Sequence, residues 1–544
     1  MSEATAARRS ASVRDAHRDH HPLHESRTPP WSARATNFFV FGVLALGAVY
    51  AATALVADLR DMPATTTIMP FVLLVVALMI ALGFEMVNGF HDTANAVATV
   101  IYTHSLPPQI AVVWSGIWNL LGVLTSAGLV AFTIVSLLPV ELILQVGSAA
   151  GFAMVFALLI AAIIWNVGTW YFGIPNSSSH ALIGSIIGVG LANELMGGPN
   201  GTSGVDWGQA VGVFKSLGFS PVVGFVLSAL LLLAAKAVLP FPKLYSAPEG
   251  AAPPPHWIRA LLVLTCTGVS FFHGSNDGQK GMGLIMLILI GTVPTAYALN
   301  HAVGADHVPV FVQASTRAEA VLEKHGGAGA STHPSAAVTD AIRTRTVTPA
   351  SLPALRQLIA DIAQQVQEYG ALAHVPADKT NNVRNDMYLA SEMLSRMFKS
   401  GEPKLDAAET ADLKTYKAQI DAATKFIPTW VKVAVAIALG MGTMIGWKRI
   451  VVTVGEKIGK THLTYGQGAS AEIVAMATIG AADMWGWPVS TTHVLSSGVA
   501  GTMAANRSGL QRGTIVNMIL AWVLTLPAAI MLSGVLFFIF RHTF

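Results

Sequence analysis

Residues 173–180 read GIPNSSSH and residues 486–493 read GWPVSTTH. Laid over each other, Gly173, Pro175, Ser177 and His180 fall on Gly486, Pro488, Ser490 and His493, while Ser178 and Ser179 fall on Thr491 and Thr492. A glycine and a proline, then three hydroxyl residues, then an apolar run is how a helix starts: proline is tolerated in the first turn and Ser or Thr caps it. Each stretch thus gathers free backbone N–H groups, a positive dipole end and several hydroxyls at one point. That combination suits an oxyanion. A lone Ser or Thr in an apolar helix usually bonds a neighbouring helix and nothing more. Three in a row, twice and in register, favour an anion site.

A carboxylate stretch precedes each of these. NGFHDTANAVAT (Asn88–Thr99) carries Asp92, and FFHGSNDGQKGMG (Phe271–Gly283) carries Asp277. Asp92 to Ser177 is 85 positions and Asp277 to Ser490 is 213, and the difference of 128 is the length of the charged stretch 301–428. With that stretch removed the two halves have the same internal spacing, which points to a duplicated chain and a site assembled from both copies.

A soluble globular chain carries about 25% charged residues. These 544 residues are 12% charged and 53% hydrophobic, with a mean hydropathy of +0.55, which makes this an all-α polytopic membrane protein. The net charge of +3, with most basic residues in connecting segments, excludes a concentrated nucleic-acid surface. The single cysteine, Cys266, excludes an internal disulfide and a multi-thiolate metal centre. Apolar runs long enough to cross the hydrocarbon, about 20 residues each, are expected near 38–57, 68–88, 110–138, 149–172, 219–239, 257–272, 281–299, 430–447, 469–485 and 514–540, about ten spans. Shorter apolar pieces at 93–103, 181–195 and 494–505 read as re-entrant or broken helices, which are tolerated only beside protein or a wet cavity.

Residues 1–36 hold six arginines and no apolar stretch and are expected to be a polar, disordered tail rather than a cleaved signal. Residues 301–428 hold thirteen Lys/Arg and fourteen Asp/Glu. Apolar residues at helical spacing there predict a soluble, mainly helical insertion. The transmembrane region is then 37–300, with the first repeat and the start of the second, and 429–544, the remainder of the second.

An ionised carboxylate at membrane depth costs at least about 2.5–3.5 kcal/mol, so Asp92 and Asp277 each need a cation, a proton or a strong donor. The bland alternative is that each caps a short helix, with GSND as a turn. Asn95 follows Asp92 by three residues and Lys280 follows Asp277 by three. An asparagine carbonyl can share a small cation with the aspartate, whereas a lysine fills the space with tethered charge. The second half is therefore expected to have lost a free-cation site, unless Lys280 snorkels to an interface. Glu85 has no repeated equivalent and is kept as a proton-handling candidate. His91, His180, His273 and His493 flank the motifs and leave room for proton relay, but no two of them have helical metal-ligand spacing.

NGFHDTANAVATVIYT, GIPNSSSHALIGSIIGVG, HGSNDGQKGMGLIMLILIG and PVSTTHVLSSGVAG together resemble the inorganic phosphate transporter (Pit) family, most closely its bacterial low-affinity, proton-coupled members, from about residue 38 onward. The resemblance implies about 10–12 transmembrane helices in an inverted repeat with two re-entrant hairpins. It also implies a bacterial inner-membrane importer of phosphate working by proton symport and alternating access, often as a homodimer, with no resident cofactor. Carried over by position, Asp92 and Asn95 are the cation ligands and Asp277 is the second carboxylate. Ser177, Ser178, Ser179, Ser490, Thr491 and Thr492 then hold phosphate, with Asn276 and Lys280 beside them. Lys280 departs from the Asp-x-x-Asn pattern that sodium-coupled relatives carry in both halves. The proton-coupled branch is associated with carrying phosphate as a neutral complex with Mg2+, Ca2+ or Zn2+, whose metal would meet Asp92 and Asp277.

The alternatives are a sodium-coupled phosphate permease or a sulfate permease. Sulfate has no proton to offer a buried carboxylate. An intramembrane Ser/His hydrolase is disfavoured, because Ser and His three positions apart at a helix start need not meet and no Gly-rich nucleophile turn is present. The insertion leaves room for a sensor or receptor role.

Overall fold

The computed structural model describes residues 33–60, 69–138, 142–143, 148–197, 205–250, 252–329, 331–344, 346–348 and 351–543, without the side chains of 33–37, 70, 93–95 and 327. Residues 1–32 of the expected tail lie outside these. The first eight helices are α1 (Ala33–Leu59), α2 (Met69–Tyr102), α3 (Pro108–Thr125), α4 (Leu129–Val135), α5 (Ala149–Tyr171), α6 (Ser178–Met196), α7 (Trp207–Val238) and α8 (His256–Thr292). Then come α9 (Val308–Leu322), α10 (Pro334–Thr344), α11 (Ser351–Tyr369), α12 (Ala377–Ser400) and α13 (Ala407–Thr424) within the charged stretch. The chain closes with α14 (Thr429–Thr443), α15 (Lys448–Glu456), α16 (Tyr465–Met484), α17 (Thr491–Ala505) and α18 (Arg512–Thr543).

Among the described residues eight helices, α1–α3, α5–α8 and α18, are long and apolar enough to cross a membrane, or nine if the bent pair α13–α14 counts as one span. About ten were expected. The runs 257–272 and 281–299 are one helix, α8, and 93–103 is the end of α2. Asp92 and Asp277 therefore sit inside helices and cap nothing. GSND has the composition of a turn, yet its glycine serves packing: a Cβ on Gly274 would collide with the Asn119 carbonyl of α3, and one on Gly278 with the Val123 side chain. The run 110–138 breaks instead at Gly128, whose φ of +85° suits glycine. The piece 181–195 belongs to α6, a helix of 19 residues, within the length of a full span.

The helices of the two halves pack in exchanged pairs. α2 lies on α14 as α8 lies on α3, α6 lies on α18 as α17 lies on α7, and α4 lies on α8 as α15 lies on α2. Glycines set the closest approaches: Gly89 abuts the Leu439 carbonyl and Gly122 the Phe271 carbonyl, while Gly188 abuts the Ile530 carbonyl and Gly501 that of Phe225. Small residues let backbones come this near where lipid supplies no hydrophobic drive between helices. Phe38, Phe219 and Met531 remain exposed on α1, α7 and α18, on faces that suit lipid. Helices α9–α13 bury Phe311, Leu355, Leu358, Met387, Leu394, Leu413, Tyr416 and Ile420. α12 reaches the start of α7 through Arg396 and Asp206 at 3.5 Å and Lys399 and Gln209 at 2.9 Å.

Candidate functional site

Each hydroxyl motif follows a glycine in the left-handed region, Gly173 at φ +65° and Gly486 at φ +68°. Ser177 then caps α6 by accepting from the His180 backbone N–H at 3.2 Å, and Ser490 caps α17 by accepting from the His493 N–H at 3.1 Å. The next two hydroxyls face inward. Ser178 donates to Asp92 Oδ2 at 2.9 Å and Thr492 donates to Asp92 Oδ1 at 2.5 Å. One buried carboxylate of α2 thus joins two helix starts from opposite halves.

With the halves exchanged, the counterpart of that arrangement would have Asp277 taking Thr491 and Ser179. Lys280 stands there instead, its Nζ 2.6 Å from Asp277 Oδ1 and 2.5 Å from Ser179 Oγ. Thr491 Oγ1 is left buried without a hydrogen-bond partner. Lys280 is fully buried and does not snorkel. Ser179 also donates to the Val489 carbonyl at 3.0 Å. Asn276 donates to the Trp487 carbonyl at 3.1 Å, and its Oδ1 is buried without a partner. The side chain of Asn95 lies outside the described residues.

Asp92, His273 and Asp277 each turn one ligand atom into a space where all three lie within 4.8 Å of one another. His273 Nε2 is 3.5 Å from Asp277 Oδ2, and its Nδ1 meets Asn119 Oδ1 at 2.6 Å. Two carboxylates and an imidazole held by a second polar group suit a divalent cation. Lys280 covers one oxygen of Asp277, and neither Oδ2 nor His273 Nε2 has a hydrogen-bond partner. His273 is missed as a ligand when histidines are compared only with one another. Its spacing of four residues from Asp277 is the signal that finds it.

A family model described as the phosphate transporter family matches residues 88–533, which hold all four motifs. The chain belongs to the phosphate transporter family. The low-affinity inorganic phosphate transporter PitA of Escherichia coli (strain K12) is 42% identical to it over 485 residues, covering 86% of this chain and 96% of its own length. PitB of the same organism is 40% identical over 499 residues with the same coverage. A solved structure described as "The sodium-dependent phosphate transporter" covers 87% of this chain and 100% of its own at 18% identity and a TM-score of 0.47, too faint a likeness to bear on the site.

In this member of the phosphate transporter family, Ser177 Oγ and His180 Nδ1 do meet, at 2.8 Å. That corrects the expectation that they need not. The pair is still a poor nucleophile and base, because Ser177 Oγ also caps α6 and, among the described residues, no carboxylate hydrogen-bonds the His180 ring. His180 stacks on His493 at 4.4 Å, and His493 on Trp522 at 4.3 Å, behind the two caps. His91 Nδ1 lies 3.4 Å from Asp92 Oδ1. Two further buried or half-buried acids carry no motif: Asp483 accepts from Ser275 and Gln279, both at 2.6 Å, and Glu472 sits deeper in α16. Glu85 is buried, and a Cβ on Gly281 of α8 would collide with it.

Proposed function

We propose that this protein is a secondary active transporter of the bacterial inner membrane that imports inorganic phosphate by proton symport and alternating access. The observation that carries the reading is the convergence of two capped helix starts and a buried lysine on Asp92 and Asp277. Phosphate between them would accept from Ser178, Thr491, Thr492 and Lys280, with the N-termini of α6 and α17 adding their dipoles. Lys280 neutralises Asp277, so Asp92 is the central carboxylate left to take a proton, either from solution or from the phosphate itself. Sulfate has no such proton to give and would face an ionised Asp92 charge against charge. The exchanged packing of α2 and α14 with α8 and α3 supports an inverted repeat whose halves rock about this point.

The cluster of Asp92, His273 and Asp277 favours a metal-phosphate complex as cargo over the bare anion. The divalent metal would meet those three side chains while the phosphate meets the hydroxyls and Lys280. Uptake of labelled phosphate into proteoliposomes tests both readings. An inside-alkaline gradient is expected to drive accumulation, excess sulfate to leave it unchanged, and chelation of divalent metal to reduce it. Accumulation that sulfate abolishes would overturn the choice of anion.

A further inference from the structure

We propose that the face of the protein opposite the insertion binds the headgroups of anionic phospholipids through a basic platform, built from the ends of α7, α15 and α17 and the start of α18. α7 begins beside the insertion, where Asp206 meets Arg396, so its far end lies on the other face. Its 32 residues run about 48 Å against roughly 30 Å of hydrocarbon, which carries that end into the headgroup layer. There Lys236 donates to the side chain of Asn506, just after α17. The segments that follow α15 and α17 are tied together by backbone: Gly459 bridges Leu510, the Lys460 N–H donates to the Gly509 carbonyl at 3.1 Å, and the Gln511 N–H donates to that of Ile458 at 2.9 Å. The Gln511 side chain donates to the Glu456 and Gly459 carbonyls at 2.9 and 2.7 Å. Lys457, Lys460, Arg507 and Arg512 thus stand exposed on one fixed surface.

The charge of this face is unbalanced. Its segments 236–259, 456–465 and 505–512 hold Lys236, Lys243, Arg259, Lys457, Lys460, Arg507 and Arg512 against Glu249 and Glu456. Arg259 is spent on the Ser105 carbonyl at 2.8 Å, and the Tyr102 hydroxyl donates to Glu456 at 2.6 Å. Among the described residues none of the other six cations forms an ion pair. The insertion is the opposite case: thirteen Lys/Arg stand among fourteen Asp/Glu, and Lys324, Arg343, Lys417 and Lys425 are all paired. Unpaired cations at headgroup level attract anionic lipid. Arg507 adds its charge at φ +58°, a conformation that glycine takes freely and arginine does not. In the α7–α8 connection, Phe241 and Trp257 are 50% and 47% exposed with ring centroids 5.5 Å apart. Aromatic rings at this level sit between headgroups and acyl chains, and a dissolved anion has no use for them. The occupant that offers both a phosphodiester charge and an acyl chain is an anionic phospholipid.

The test uses the full-length protein in phosphatidylcholine vesicles with and without phosphatidylglycerol. Phosphatidylglycerol is expected to raise the thermal unfolding midpoint of wild type, the more so at low salt. Lys457→Gln/Lys460→Gln/Arg512→Gln is expected to match wild type in neutral vesicles and to lose most of that rise. Lys379→Gln/Lys404→Gln/Lys414→Gln removes as many exposed charges from the insertion and should keep it. Arg507→Gly should gain stability in neutral vesicles and lose part of the rise, two effects of opposite sign. A wild-type midpoint that ignores phosphatidylglycerol overturns the proposal, and so does a platform variant that keeps the full rise or an insertion variant that loses as much. If the platform variant fails to fold, wild type decides alone: a rise that high salt leaves unchanged overturns the proposal. Inorganic phosphate added to neutral vesicles should act alike on wild type and both triple variants. A phosphate-induced rise that the platform variant alone lacks would assign the platform to a dissolved anion and overturn the lipid reading.

Discussion

Lys280 Nζ lies 2.6 Å from Asp277 Oδ1, with both side chains buried within α8. Removing one partner of such a pair strands the other charge, at about 3–5 kcal/mol. Lys280→Met is therefore expected to lower the thermal unfolding midpoint in detergent sharply, and Asp277→Asn/Lys280→Met to recover much of it. Additive losses in the double variant would show that the two charges do not support each other.

Lys280→Asn restores an Asp-x-x-Asn spacing in the second half. It is expected to make phosphate uptake respond to sodium, which wild type should not. Initial rates in sodium against choline buffer read the change directly.

Ser178→Ala and Thr492→Val each remove a hydroxyl donated to the Asp92 carboxylate, a bond to a charged group worth about 1.5–3 kcal/mol. Ser177→Ala removes a helix cap, worth about 0.5–2 kcal/mol. The first two are expected to weaken phosphate uptake at low concentration, and the third to lower stability with less effect on apparent affinity. Equal effects on uptake from all three would contradict the separation of caps from inward-facing donors.

Gly188→Ala and Gly501→Ala put a methyl group against the Ile530 and Phe225 carbonyls, whereas a Cβ on Gly168 meets nothing within 4 Å. Folded yield is expected to fall for the first two. Gly168→Ala should hold or gain slightly, since alanine is the better helix former by about 0.5–1 kcal/mol.

The motifs and their assembly into one centre are legible in the chain because equal spacing survives removal of 301–428. The continuity of α8 is not, because Gly-Ser-Asn-Asp has the composition of a turn and only the Asn119 carbonyl against Gly274 explains the glycine. Glu472 and Asp483 escape for another reason. A single acid inside an apolar run has no periodicity or repeat to mark it, and its meaning comes from Thr265 or Ser275 on another helix. The role of Lys280 is half legible: its difference from Asn95 is in the sequence, while its place between Ser179 and Asp277 is a fact of packing.

In the insertion, the Lys324 ammonium, the Asp406 backbone N–H and the His325 ring hold the Glu409 carboxyl down from an ordinary 4.5 to about 2. A depressed carboxylate stabilises the fold above its unfolded value, and the benefit fades as pH falls towards the folded one. Glu409→Gln is therefore expected to be less stable than wild type at pH 7, with the gap closing between pH 4.5 and 2. Chemical denaturation at several pH values measures it.

The central claim is phosphate import coupled to protons through Asp92, with Lys280 in place of a second free cation. Its most direct measurement is the uptake of labelled phosphate by wild-type protein in proteoliposomes under an imposed proton or sodium gradient, each with and without magnesium. The account predicts accumulation against a concentration difference under the proton gradient, greater with magnesium, and none under sodium alone. Accumulation that requires sodium and ignores the proton gradient would contradict it.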